Sequence, residues 1–296
     1  MLDVEHLRGW IGREEFLDDV VAASRVAALA ATLDRDDSPP RVGDALPPPW
    51  HWMLCVPAVR QSAIGPDGHP ARGGFLPPVP LPQRMWAGGR LTFPQSLRIG
   101  EPVQRRSRVM SVEHKSGRSG ELVFVVVRHE FHGPAGLCIT EEHDIVYRDL
   151  PRSVLSAPSA GDAVPGSARD MTIAAAPTEA VWQRRIVPDD VLLFRYSALT
   201  FNGHRIHYDR RYATEAEGYP GLIVHGPLIA TLLVDLLRRN MPAASIAAFE
   251  FRAVKPLFDT ASFHICGQPP GDGKTVKLRA LDAHGHLAMD MTVSLA

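Results

Sequence analysis

The sequence predicts an α+β fold built twice over, each half a curved antiparallel sheet set around a helix. Three observations predict it. The first is the segment from Gly226 to Asn240, where Leu228, Ile229, Leu232, Leu233, Val234, Leu236 and Leu237 put apolar residues on every side of one helix. Such a helix needs an apolar partner on each face and belongs inside a fold. Pro227 suits its first turn, and Arg238 and Arg239 suit the negative end before Asn240 and Pro242. The second is a run of strand-like segments that occurs twice. Leu91–Ile99, Arg105–Glu113, Leu122–Phe131 and Leu137–Tyr147 form one run; Ile246–Lys255, Ala261–Gly267, Thr275–Asp282 and Leu287–Leu295 form the other. The third is the order of the turns between them. A Gly/Lys turn comes first (KSGRSG; GDGK) and a His/Gly turn second (HGPAG; AHGH). The period is about 130 to 150 residues, too long for a solenoid. A long helix wrapped by a strongly curved antiparallel sheet is the hot-dog arrangement, and two in one chain make a double hot dog. Two unrelated α+β domains would leave the shared turn order unexplained.

The remaining elements follow in order. Arg13 to Leu33 reads as helix, rich in alanine, leucine and valine, without proline. Prolines 39, 40, 47, 48 and 49 break the chain before the apolar WHWMLCV of Trp50 to Val56, whose type the pattern leaves open. Gly65 to Pro82 reads as a long loop of the kind that forms lids and binding walls. Residues 1–150 are therefore expected to form an N-terminal degenerate repeat that serves as pocket wall. Residues 151–170, rich in Ser, Ala, Gly and Pro, are expected to be a linker, and 171–296 the C-terminal repeat that carries the chemistry.

Composition narrows the function. The 296 residues are 45% hydrophobic, enough for a full core, and the net charge of -1 gives no reason to expect nucleic acid. Three widely spaced cysteines form neither a disulfide framework nor a zinc site. No stretch approaches the roughly 20 apolar residues of a membrane span, and the acidic opening is unlike a signal peptide. These features predict a cytoplasmic protein.

A polar loop precedes the buried helix and holds Asn202, His204 and His207. With Asp209, Ala213, Gly218 and His225-Gly226 it resembles the MaoC-like (R)-specific enoyl-thioester hydratases, in which an acidic residue, four residues and a histidine precede a glycine-headed helix. The phrases FNGHRIHYD and GYPGLIVHGP, with PWHW at 49–52 and RMWAGGRL at 84–91, are closer to the FAS1-like dehydratases and mesaconyl-C4-CoA (3-methylfumaryl-CoA) hydratases. The resemblance covers most of the chain. It implies an enoyl-CoA hydratase or dehydratase, of EC 4.2.1 type, acting on a short, branched or dicarboxylic acyl-CoA such as mesaconyl-C4-CoA or itaconyl-CoA. It also implies His207 and Asn202 as catalytic residues.

The residue chemistry fits. Adding water to a C=C conjugated with a thioester needs a base for the water, a proton for the α-carbon and stabilisation of the thioester oxygen. An imidazole of pKa ~6.5 supplies the first two. Backbone amides at a helix head, Gly226 and Leu228, suit the third. Asn202 occupies the acidic position of the wider family, and a carboxamide can position water but cannot accept its proton. Arg205 and Arg210, with Arg211, are the expected binders of the coenzyme A phosphates. Asp209 reads as the cap of a short helix, His204 and His225 as loop or packing residues, and His51, Trp52 and Trp86 as core that could line an acyl pocket. No metal is expected, because His204 and His207 stand in a loop beside Arg205, and no nucleotide cofactor, because no glycine-rich loop follows a strand. A homodimer of double hot dogs is expected. The other readings are a 3-hydroxyacyl-thioester dehydratase of fatty-acid or polyketide synthesis, a thioesterase, which Asn202 argues against, and a non-catalytic acyl-thioester binding protein.

Overall fold

A computed structural model of the protein describes residues 2–117, 120–149, 180–271 and 273–296. The expected linker, 151–170, lies outside these residues. Ten strands form one antiparallel sheet in the order β1-β3-β4-β5-β2-β7-β10-β9-β8-β6. The first half supplies β1 (Glu14–Val20), β2 (Gln83–Thr92), β3 (Pro102–Gly117), β4 (Gly120–Gly133) and β5 (Gly136–Arg148). The second supplies β6 (Trp182–Ile186), β7 (Ile246–Ala253), β8 (Phe263–Gly267), β9 (Thr275–Leu281) and β10 (Leu287–Leu295). Read outward from the β2–β7 junction, the two halves run in the same order: 2-5-4-3-1 and 7-10-9-8-6. This is the double hot dog that the repeated turns predict.

The junction depends on glycine. Gly88 and Gly89 of β2 lie opposite Arg252 and Phe251 of β7. A Cβ on Gly88 would stand 2.6 Å from the Phe251 carbonyl oxygen, so any side chain there would push the two half-sheets apart.

The helices differ between the halves. After β1 comes α2 (Ala23–Thr32), and after β6 comes α3 (Asp190–Leu199); α1 (Val4–Arg8) precedes both. The second half then adds α4 (Gly226–Asn240), in which every residue from Leu228 to Leu237 is buried, as the all-round apolar pattern requires. One of those residues is Asp235, whose carboxylate sits at 0% side-chain exposure. Arg35 at 2.6 Å, Arg239 at 2.7 Å and Arg184 at 3.1 Å surround it, so a buried charge is fully compensated and ties the first half to α4. The first half has no counterpart of α4 among its described residues. In its place stand a 3-10 turn, Trp50–Met53, and a small apolar cluster in which Leu7, Val79 and Leu81 pack against Val123, Val125 and Val127.

The structure corrects the reading of Arg13 to Leu33 as one helix. Glu14–Val20 is the edge strand β1, and the helix begins only at Ala23. No β1 residue is fully buried. The strand is held by cross-strand charge, Glu15 to Arg105 at 3.1 Å and Glu14 to Arg106 at 2.6 Å, which apolar periodicity does not report. Leu91–Ile99 is also corrected: the strand starts earlier, at Gln83, and stops at Thr92. Among the described residues no helix is long and apolar enough to cross a membrane.

Candidate active site

Where the first half lacks its helix there is a cavity of about 1190 Å³. Its floor is one face of the first half-sheet: Arg84 and Trp86 of β2, Val127, His129 and Phe131 of β4, and Glu141, His143, Ile145 and Tyr147 of β5. Side chains alternate across a strand, so these positions share one side. One wall is the long loop, with Gly68, His69 and Phe75 among its contributors; another is α3 and the loop after it, with Ser197, Asn202, Gly203 and Arg205; Pro227 marks the head of α4. His51, Trp52 and Trp86 all face this space.

The two loops are pressed together. A Cβ on Gly68, whose φ is +89°, would stand 1.8 Å from the Gly203 carbonyl oxygen, and one on Gly203 would stand 2.6 Å from the Gly68 oxygen. Arg205 donates its backbone N–H to Asp67 O at 2.9 Å and its guanidinium to Pro66 O at 2.9 Å. The loop over the cavity and the loop carrying the histidines therefore form one unit.

His207 Nδ1 donates to the Ile223 carbonyl at 2.8 Å. A carbonyl can only accept, so the neutral ring carries its proton on Nδ1 and its lone pair on Nε2. The ring stacks on His225 at 3.7 Å and 19°, and meets His204 edge-on at 5.4 Å. His225 is fully buried and pairs through Nε2 with the Ser197 hydroxyl at 2.8 Å. Burial holds His207 at about 4, against the opposing pull of the Ile223 carbonyl; the ring is thus neutral at physiological pH. His204 and His225 are also pushed down by burial and by their neighbours' charge. Both pack in one cluster with His207, His204 from the loop and His225 from the start of α4. His207 itself keeps 8% of its surface exposed, and it is Asn202 that lines the cavity.

Asn202 Oδ1 accepts the His204 backbone N–H at 3.0 Å, which fixes the amide and leaves its NH2 for a ligand. Asp209 caps the short helical turn that follows, accepting Tyr212 N–H at 3.0 Å, as expected. The head of α4 offers the Gly226 and Leu228 amides, which have no acceptor within the helix. The two expected phosphate binders separate. Arg205 lines the cavity and pairs with Asp209 at 2.7 Å, whereas Arg210 pairs with Asp259 and does not line the cavity; Arg211 pairs with Glu215 at 2.8 Å.

Several cavity groups escaped the sequence reading because strands and loops remote in sequence bring them together. Glu141 is buried, with His51 Nε2 at 3.0 Å and Trp52 Nε1 donating at 3.1 Å. Burial alone would raise its pKa, but the His51 hydrogen bond and the nearby histidines hold it well below the usual carboxylate range. Asp67, His69 and His204 present ligand atoms within 4.8 Å of one another, a grouping that could hold a metal ion. His69 is hydrogen-bonded to Asp67 at 3.1 Å, and burial together with the positive charge of Arg84 and Arg72 lowers it to about 4.

The chain is 45% identical to the mesaconyl-C(4)-CoA hydratase of Chloroflexus aurantiacus over 97% of its own length and 96% of that protein. Its fold resembles HtdX of Mycobacterium tuberculosis, with a TM-score of 0.64 at 19% identity, covering 96% of this chain and 100% of that one. It also resembles a Mycobacterium tuberculosis protein described as a double hot dog, with a TM-score of 0.58 at 16% identity and 96% of each chain covered. The profile of hydroxyacyl-thioester dehydratase type 2 matches residues 49–259, which span the 3-10 turn of the first half, the cavity, the histidine loop and α4. With most of its length matched, the chain belongs to the hydroxyacyl-thioester dehydratase type 2 family, a family of hydro-lyases.

Proposed function

We propose that the protein adds water across the C=C of a short, branched dicarboxylic enoyl-CoA of the mesaconyl-C4-CoA type. The observation that carries this reading is the near-full-length 45% identity to a hydratase of that substrate. The site supports it. His207, neutral and anchored through Nδ1, takes a proton from water on Nε2 as the oxygen bonds to the β-carbon. The same proton returns to the α-carbon. Asn202 holds the water, and the Gly226 and Leu228 amides receive the charge that develops on the thioester oxygen. The cavity floor takes the acyl group, and Arg205 guards the side where the coenzyme enters.

A second reading, dehydration of a longer 3-hydroxyacyl thioester, is favoured by one observation. A cavity of about 1190 Å³ exceeds the space a short acyl group fills. Hydration of mesaconyl-C4-CoA and of crotonyl-CoA, followed by loss of the conjugated thioester's absorbance, tests the first reading against a His207→Ala control. Turnover of neither by the wild-type protein, with dehydration of a long-chain 3-hydroxyacyl-CoA, would replace it with the second.

A further inference from the structure

Four arginines line the cavity, and three already have partners. Arg72 donates to the backbone carbonyls of Val79, Leu81 and Pro82. Arg105 pairs with Glu15 at 3.1 Å, and Arg205 with Asp209 at 2.7 Å. Arg84 is different. It is half-buried, yet no carboxylate or backbone carbonyl among the described residues partners its guanidinium. The cavity's own carboxylates are hydrogen-bonded elsewhere, Glu141 to His51 and Trp52, Asp67 to His69; Asp67 feels the charge of Arg84 without pairing with it.

Arg84 is also well placed. On the sheet it lies opposite Tyr147 of β5, a buried residue whose hydroxyl is beside the guanidinium. Its charge bears on His143 on one side and on His69 and His204 on the other. His204 meets the His207 ring edge-on at 5.4 Å, so Arg84 stands between the floor of the cavity and the histidine loop. Keeping a cation out of bulk water without a directly paired carboxylate costs free energy, and a fold tolerates it where a ligand supplies the missing partner.

We infer that Arg84, with the Tyr147 hydroxyl, is the receptor for a free carboxylate carried by the acyl group. This rests on the hydratase reading for its substrate. In a mesaconyl-C4 thioester, the free carboxylate is on the same carbon that receives the water oxygen. Its receptor must therefore stand beside the histidine loop and not at the far end of the cavity, which is where Arg84 lies. The planar guanidinium fork takes a carboxylate through two parallel hydrogen bonds, a geometry that neither a histidine nor a lysine offers. Neutralising the anion also makes its carbon a better target for water.

The test separates the receptor from the reaction. Succinyl-CoA and butyryl-CoA have the same chain length and no double bond, and differ by a carboxylate in place of a methyl group. Calorimetric titration should show the wild-type protein binding succinyl-CoA about 10- to 100-fold more tightly, the range of a charge-assisted pair. Arg84→Gln should abolish that preference. Equal binding of both thioesters by the wild type, or a preference that survives in Arg84→Gln, overturns the assignment. If the glutamine variant does not fold by circular dichroism, Arg84→Lys takes its place. There a preference reduced several-fold supports the fork, and an unchanged one overturns it. A wild-type protein that prefers succinyl-CoA yet fails to hydrate mesaconyl-C4-CoA leaves the carboxylate site standing and removes the hydratase reading.

Discussion

The two halves carry the same five strands in the same order, and they use the inner face of those strands in opposite ways. The second half covers it with α4, buried from Leu228 to Leu237 over Val276, Leu278 and Ala280 of β9. The first half covers it only in part, with a four-residue turn and with Leu7, Val79 and Leu81 packed on Val123, Val125 and Val127, and leaves a cavity of about 1190 Å³ whose floor bears histidine, glutamate and arginine. The comparison teaches how one repeat becomes two organs. A hot-dog sheet without its helix is unstable alone, because its face is open. Fused to a complete copy, it can stay open for a ligand, while the complete copy presents the proposed catalytic groups at the head of its helix.

The largest expected effect tests where the chemistry resides. His207→Ala should lose roughly 10²–10⁴ in kcat, the usual worth of an acid–base group. His129→Ala, on the first-half floor, should lose far less; equal losses in two folded variants would end the division of labour.

Dividing the chain is the next test. A fragment starting near Met171 loses β2, which pairs with β7 from Gly88↔Arg252 to Thr92↔Ala248, and loses Arg35 from the buried Asp235. It should aggregate through its open β7 edge. A soluble, monomeric and active fragment would show that the first half is dispensable.

Packing distinguishes the halves more finely. Val276→Phe, under α4, should cost about 1–3 kcal/mol by overpacking. His143→Phe, on the half-buried part of the cavity floor, should cost much less stability while lowering activity by filling the pocket. Urea denaturation of both variants reads the difference, and equal costs would mean the first-half face is as tightly filled as the second.

Protonation gives smaller effects. Histidines 69, 143 and 207 are held at about 4 and His129 at about 3, in each case chiefly by burial. The unfolded chain takes up protons near ~6.5, so it binds more of them than the folded protein between that pH and about 4. Stability should therefore fall steadily as pH drops through this window, read as the melting temperature from pH 7 to pH 4. A flat profile would mean that these rings are hydrated in solution. The acid limb of kcat/KM should lie near pH 4 in the wild type, well below the ordinary histidine range. Asn202→Asp adds a negative charge by the loop. An opposite charge favours imidazolium, so the limb should move up by roughly one unit. An unmoved limb would separate residue 202 from His207.

How much of this was legible in the sequence depends on distance along the chain. The helix α4, the short turn capped by Asp209 and the strands β4, β5, β9 and β10 were readable because each is specified by its own residues. The edge strand β1 was not, since Glu14 and Glu15 are paired by arginines 91 or so residues on, in β3, and not by an apolar stripe. Helix α3 shows apolar and aromatic residues without a clear period, and its sharpest sequence signal is its cap, the Asp189 carboxylate accepting the Leu192 N–H at 2.8 Å. The site was half legible. Asn202 and His207 share one loop, whereas Arg84, His69 and Glu141 reach the cavity from β2, the long loop and β5, and only the folded sheet gathers them.

The contact of Gly68 with Gly203 has a consequence for how the pocket can be altered. Here backbone meets backbone, with no side chain to trim or enlarge, so the contact works as a weld between the roof of the cavity and the histidine loop. Material can be exchanged on either side of a weld but not across it. Grafts that retune acyl selectivity should take the stretch after His69, through Phe75 to Pro82, as one cassette and keep Pro66 to Gly68 from the host. A cassette that includes Gly68 would carry the donor's histidine-loop spacing with it.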